Sequence, residues 1–243
     1  MLRKRLAPQV TRLRSADIAP LTNPAPNEEF VNVDLGDVSQ ASRLVDGIDA
    51  IVHFGGLAKE ASFEAISRVN IVGLQALYEA SRVAGVRRVV FASSVHAIGF
   101  YPQTAVIDAA APTRPDSNYG LAKVFGENLA QLYWDKHGLE TVSIRIGSCE
   151  PKPSNRRHLL TWLSFDDMCQ LVELSLSAPR VEHTIIYGAS DNAASFWDNR
   201  LARHLGYKPR DSADTYREGI YAADPRPDRN DVVSRFQGGI FTR

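Results

Sequence analysis

Asp49-Ala50-Ile51-Val52-His53-Phe54-Gly55-Gly56 is the stretch on which the fold turns. A short apolar run closed by a glycine pair has the pattern of a strand covered on both faces, as in a parallel sheet. The same unit repeats outward from it. A helix is predicted over 63–84, with Leu74, Leu77, Tyr78 and Ser81 at spacings of three and four and Gly85 as its stop. A strand over 88–92 follows and ends in Ser93-Ser94. Next come a helix over 118–137 stopped by Gly138 and a strand over 140–146 with one polar interruption. Alternating strands and helices predict an α/β fold: a Rossmann-type doubly wound parallel sheet with helices on both faces.

Upstream, 10–15 and 30–34 read as short strands separated by a loop carrying Pro20, Pro24 and Pro26, and 34–47 reads as a short helix. Downstream, 151–160 is a basic loop, and 165–176 is a helix with Ser164 as its cap. A strand over 184–188, a helix over 196–205 ended by Gly206, and an irregular tail over the last 35 residues complete the chain. The expected division is a nucleotide-binding core over 1–150 and a mixed region over 151–243 that includes a small substrate-binding lobe.

Composition narrows the function. The chain has 243 residues, 44% hydrophobic and 23% charged, enough to bury a core and too apolar for a disordered chain. Its 28 basic and 28 acidic residues cancel, which gives no support for a nucleic-acid polyanion as partner. Cys149 and Cys169 stand alone, so neither a disulfide framework nor a metal site is expected. No run reaches the roughly 18–20 apolar residues of a membrane span, and the basic start lacks the apolar stretch of a secretion signal. A cytoplasmic protein acting on a small molecule is expected.

Tyr119-Gly120-Leu121-Ala122-Lys123 is the feature with the most chemistry in it. On a helix, residues four apart share a face, about 6 Å from each other. An ammonium there stabilises a phenolate, which makes the tyrosine a general base for an alcohol. Alone, the pair reads more readily as a boundary tyrosine beside a solvated lysine. Two neighbours shift the balance. Ser94 ends a parallel strand, where open α/β sheets place ligands, and its hydroxyl can hold the substrate oxygen beside Tyr119. Asn70 is a poor helix former inside a helical stretch and suits a water anchor near the lysine. Cys149 has no base placed for it and reads as inert.

With these residues the chain resembles the extended short-chain dehydrogenases/reductases, the group of NAD-dependent epimerases and dehydratases. Within that group it is most similar to the uronate dehydrogenases. The resemblance runs through Phe91-Ala92-Ser93-Ser94, His96, Arg114-Pro115-Asp116, Tyr119-Gly120, Lys123 and Phe125-Gly126-Glu127-Asn128-Leu129. It continues through Arg145-Ile146-Gly147-Ser148-Cys149, Trp162, Tyr187-Gly188-Ala189-Ser190, Trp197-Asp198-Asn199 and Phe236-Gln237-Gly238-Gly239. It implies a catalytic set of Tyr119, Lys123, Ser94 and Asn70, with Tyr119 taking the proton of the C1 hydroxyl of a uronic acid and hydride passing to NAD. It places NAD on Asp17, Asp34, Leu35, Gly55 and Gly56 as well as Tyr119 and Lys123. A carboxylate at Asp17 accepts both adenosine ribose hydroxyls and repels a 2′-phosphate. The sugar falls to Ser94, His96, Ser148 and Arg157, with Arg157 on the C6 carboxylate because a guanidinium fork matches it. Relatives often pair through the helices bearing Asn70 and Tyr119, which implies a homo-oligomer.

The chain departs from the pattern in three places. A complete dinucleotide fold opens on a strand, a glycine-rich turn and a helix. No such turn occurs here, and residues 1–6 read as the later part of that helix. The expectation is an N-terminally truncated sheet with poor cofactor affinity, arising from a misassigned start, a decayed gene or a segment supplied by a partner, the first being favoured. Val95 and Ala58 stand where the resemblance implies asparagine and serine donors to sugar hydroxyls, which points toward a related or less hydroxylated sugar acid. Two other functions fit the same residues: a related sugar or sugar-nucleotide epimerase or reductase, and a non-catalytic nucleotide-binding or scaffold protein.

Overall fold

The structure, a computed structural model, describes residues 1–224 and 231–243. Its first half runs α1 (Leu2–Leu6), β1 (Leu13–Asp17), β2 (Glu28–Asn32), α2 (Ala41–Val45), β3 (Ala50–His53), α3 (Phe63–Ile66), α4 (Leu74–Ala84), β4 (Arg88–Ser94), β5 (Ile107–Asp108) and α5 (Asn118–His137). The second half runs β6 (Glu140–Ile146), β7 (Ser148–Cys149), α6 (His158–Thr161), β8 (Trp162–Leu163), α7 (Phe165–Ser177), β9 (His183–Gly188), β10 (Trp197–Asp198), α8 (Arg217–Ala223) and α9 (Val232–Arg235).

β3, β4, β6 and β9 form one all-parallel sheet in that order, and β1 pairs with β2 in a separate parallel sheet. The strand period of two divides β4 between two cores. Val90 joins Val142, Ile144 and Ile186 against Met168, Leu171 and Val172 of α7, with Leu6 of α1 on the same side. Val89 and Phe91 face the other way, onto Leu74, Leu77 and Tyr78 of α4 and Leu129 and Tyr133 of α5. Each fully buried aliphatic side chain contributes about 1.5–3 kcal/mol, so the central strands hold both layers together. The expected α/β architecture is present. Because β9 pairs with β6, the region after residue 150 supplies the last strand of the main sheet.

The two buried arginines of the central strands have partners. Arg145 of β6 is 1% exposed and donates from Nε and Nη2 to the two oxygens of Glu127 on α5, each at 2.9 Å. Arg88 at the start of β4 pairs with Glu140, and its Nη1 donates to the carbonyls of Ser175, Leu176 and Ala178, closing the C-terminal end of α7.

Local details differ from the sequence expectations in instructive ways. The helix predicted over 63–84 is broken by a π-helical turn, Ser67–Gly73. Residues 196–205 form the short strand β10 and a 3₁₀ turn, Arg200–Leu205, because Trp197 and Asp198 pair with β5. The last residues are not irregular where described. α8 and α9 are followed by a 3₁₀ turn, Gly239–Thr242, and Gln237 is 0% exposed. The part of that tail over 225–230 lies outside the described residues.

Candidate active site

The crevice lies at the C-terminal ends of β3, β4 and β6, where an open parallel sheet leaves room between its crossovers. β4 runs into a 3₁₀ turn, Val95–Ile98, capped by Ser94, whose Oγ accepts from the His96 amide at 3.2 Å. α5 begins opposite. Ser117 caps it by accepting from Gly120 N at 3.0 Å, and Glu60 accepts from Asn118 N at 3.1 Å and Tyr119 N at 2.9 Å. A side chain at Gly120 would overlap the His96 carbonyl, and one at Gly126 the Phe91 ring. These two glycines let α5 lie close on β4, and that closeness brings Tyr119 and Lys123 to the end of the strand.

Tyr119, Lys123 and Glu127 follow one another at four-residue spacing and all face inward, at 8%, 7% and 3% exposure. Lys123 Nζ donates to the Ala92 carbonyl at 2.7 Å and lies 5.3 Å from the centre of the Tyr119 ring. Burial lowers Lys123 to about 8, opposed by the charge of Glu127. Burial also raises Tyr119, while a hydrogen bond with Ser94 lowers it and the charge of Asp116 adds to the rise. Desolvation is the largest influence on the phenol here.

The lysine is held at a cost to stability. Its folded value of about 8 lies below the 10.5 of the free side chain, so between those values the unfolded chain binds more protons and stability rises with pH. Below about 8 the full cost remains, on the order of 3 kcal/mol. Lys123→Met is expected to raise Tm at pH 7 by roughly 6–12 °C and to reduce the rise in stability between pH 7 and pH 10, as read by scanning calorimetry. A lower Tm in the variant would contradict a desolvated lysine.

Asn70 sits in the π turn, a feature that helices retain mostly at functional sites. Its Oδ1 accepts from Leu57 N and its Nδ2 donates to Leu57 O, both at 2.8 Å. Both ends of the amide thus engage the loop after β3. Gly56 in that loop has φ +116°, and a Cβ there would sit 2.7 Å from Asn70 Oδ1, so only glycine fits. Leu35 lies between Gly55 and Gly73 of the π turn. Asp34 accepts from Gly36 N at 2.8 Å and from Arg68 at 2.9 Å, and the Arg68 guanidinium holds its carboxyl below the ordinary range. Asp17 ends β1, exposed, with Oδ1 accepting from Ala19 N at 2.9 Å.

The other wall gathers the residues expected to meet a sugar. Arg157 Nη1 donates to Ser148 Oγ at 3.1 Å and Nη2 to the Gln237 carbonyl at 2.9 Å, while its enclosed Nε has no partner. No carboxylate among the described residues forms an ion pair with it, and desolvation lowers its pKa. His96 Nδ1 meets Asp116 at 2.8 Å, and its ring stacks on Phe241 at 3.8 Å and meets Tyr119 edge-on at 5.7 Å. The sequence assigned no role to Asp116, Gln237 or Phe241. Its one signal was the Phe236-Gln237-Gly238-Gly239 stretch, whose glycines admit the tail: Gly238 N donates to the Gly99 carbonyl, and a Cβ at Gly239 would lie 2.7 Å from Arg157 Nε.

Val95 is 1% exposed and packs with Ile98, Tyr187 and Trp197, so its exchange alters packing behind the crevice; Ala58 is exposed. Burial pushes the Cys149 thiol up to about 12, which leaves it without a thiolate at neutral pH. Among the described residues no group of three metal-ligating side chains comes together.

A parallel sheet with a strand-end serine, a helical tyrosine and a lysine four residues on defines an extended short-chain dehydrogenase/reductase. The chain belongs to the NAD dependent epimerase/dehydratase family, whose model matches residues 3–177. It is 52% identical over 242 residues to a uronate dehydrogenase of Pseudomonas putida, covering 99% of this chain and 90% of that one. The crystal structure of uronate dehydrogenase from Agrobacterium tumefaciens is 49% identical and superposes with a TM-score of 0.96 over 99% of this chain and 91% of the other. A tyrosine-to-alanine mutant of that protein, complexed with NAD, matches with the same values.

Proposed function

We propose that the protein oxidises the anomeric C1 hydroxyl of a uronic acid, galacturonate or glucuronate, to the aldarolactone, with NAD as hydride acceptor. The observation that carries this reading is Arg157: a guanidinium whose enclosed Nε has no partner, and which has no carboxylate partner, among the described residues. It borders the tail whose Phe241 lies against His96 and Tyr119. Such a group calls for an anionic ligand.

The residues fit NAD at both ends. Lys123 uses one of its three N–H groups on Ala92, which leaves two for ribose hydroxyls. Asp17 keeps its second oxygen for the adenosine ribose, and Gly56 opens the backbone at the end of β3. When bound, NAD supplies the electron sink and a positive ring. Ser94 and Tyr119 hold the C1 oxygen between them. Tyr119 takes the hydroxyl proton as the C1–H bond breaks with its electron pair, and the C1–O bond becomes the lactone carbonyl. Lys123 keeps the phenolate favourable, and Arg157 with Ser148 fixes the far end of the sugar.

The test is NAD reduction followed by absorbance, with galacturonate and glucuronate against galactose and glucose. Reduction with the uronates and a lactone product is expected; none with any uronate overturns the reading. We place the protein in the cytoplasm, where its two free cysteines remain reduced. We also propose that it pairs through α4 and α5, whose outer faces expose Val83 at 70%, Leu121 at 44% and Leu132 at 45%. Leu121 and Leu132 lie three turns apart on one face. Leu121→Lys with Leu132→Lys is expected to halve the mass seen by light scattering, and an unchanged mass would exclude this face.

A further inference from the structure

We propose that Asp116 is a positioning residue that holds the His96 ring proton on Nδ1, so that Nε2 is the nitrogen that meets the substrate, as an acceptor for a sugar hydroxyl. The identity of that substrate rests on the uronate reading, whereas the pair itself does not. The Asp116 side chain is 0% exposed, and its Oδ2 stands 2.8 Å from His96 Nδ1. No lysine or arginine among the described residues forms an ion pair with it. Its other oxygen accepts from Ser117 Oγ at 2.8 Å, the same hydroxyl that caps the helix bearing Tyr119. Room for the carboxylate is made by glycines: a Cβ at Gly99 or at Gly238 would overlap Oδ2, and one at Gly120 would lie 3.1 Å from Oδ1. Three separate parts of the chain thus leave space for this one group.

A carboxylate only accepts hydrogen bonds, so Nδ1 must donate. Turning the imidazole over would set a carbon against Oδ2 and leave a buried oxygen without a donor, which costs more than a neutral hydrogen bond returns. Phe241 lies on one face of the ring at 3.8 Å and Tyr119 meets it at 5.7 Å, so the ring is held in plane as well as in tautomer. Nε2 has no protein partner among the described residues and is not sealed off. A bare ring nitrogen beside the reacting phenol accepts from a hydroxyl and offers nothing to an ether or carbonyl oxygen. The arrangement follows the general rule that a carboxylate on one imidazole nitrogen decides what the other can do.

The test is a long-range proton–nitrogen-15 correlation spectrum of the protein's histidines at pH 8, with His96→Gln used to assign the His96 signals. Wild type is expected to show a protonated Nδ1 and a bare Nε2. Asp116→Asn can turn an amide N–H toward Nδ1, which is expected to move the proton to Nε2. The same variant is expected to lose tenfold or more in kcat/KM for galacturonate with Tm little changed. A wild-type His96 protonated on Nε2, or on both nitrogens, overturns the proposal. So does an Asp116→Asn variant with unchanged tautomer and unchanged kcat/KM. If Asp116→Asn does not fold, the wild-type tautomer alone decides. If wild type reduces NAD with no uronate, the substrate reading falls while the spectrum still decides on the pair.

Discussion

Tyr119→Phe is expected to lower kcat for uronate-dependent NAD reduction by about 10³-fold, within the range that a general base supplies. The phenyl ring keeps the packing against His96 and Phe241, so Tm and uronate binding should change little. The loss should fall on kcat, because the phenolic oxygen acts only as the C1–O–H bond breaks. The pH dependence carries a second signature. Burial holds the Tyr119 proton on more tightly than in a free phenol, so the wild-type oxidation rate should rise as pH increases from 7. The residual rate of the variant should lack that rise. A loss below tenfold, or an unchanged pH profile, would remove Tyr119 from the role of base.

Arg157→Ala should separate substrates by charge. Deleting one partner of a desolvated, hydrogen-bonded charge pair costs about 2–5 kcal/mol, which corresponds to a fall of roughly 30-fold to several thousandfold in kcat/KM for galacturonate. Galactose carries no C6 carboxylate, and its slow turnover should hardly change. The protein itself should tolerate the change. The guanidinium forms no ion pair with a carboxylate among the described residues, and desolvation lowers its pKa, so its removal relieves a buried charge. Steady-state kinetics on both sugars, with Tm alongside, checks this. Equal losses for the two sugars would sink the carboxylate role.

Much of this was legible in the sequence because it is local. The runs over 49–56 and 88–94 are strands by apolar continuity, and Gly85, Gly138 and Gly206 all adopt the left-handed conformation that ends a helix. Tyr119 and Lys123 share a face because a helix repeats every 3.6 residues. What was hidden is long-range. Asn70 spends its amide on a backbone thirteen residues away, and the turn it occupies carries an extra residue that no periodicity reveals. The tail looked irregular because Pro, Asp and Arg give it no pattern, yet Gln237 bonds Trp197 and receives Arg157 through contacts 40 and 80 residues apart. Asp116 stood in the Arg114-Pro115-Asp116 stretch of the resemblance, but its contact with His96 and the room made for it by glycines at 99 and 238 are long-range. Spacing gives the proximity of Lys123 and Tyr119, but their desolvation depends on everything packed around the pair.

The central claim is that Tyr119 and its neighbours remove a proton from one oxygen while the hydrogen on the adjoining C1 leaves with its electrons. Galacturonate carrying deuterium at C1 alone tests it most directly. With wild-type protein, the deuterium is expected to appear in the NADH formed, one per turnover, with a slowed rate, and Tyr119→Phe should form almost none. NADH without deuterium, or deuterium retained on the sugar while NADH accumulates, would contradict oxidation at C1.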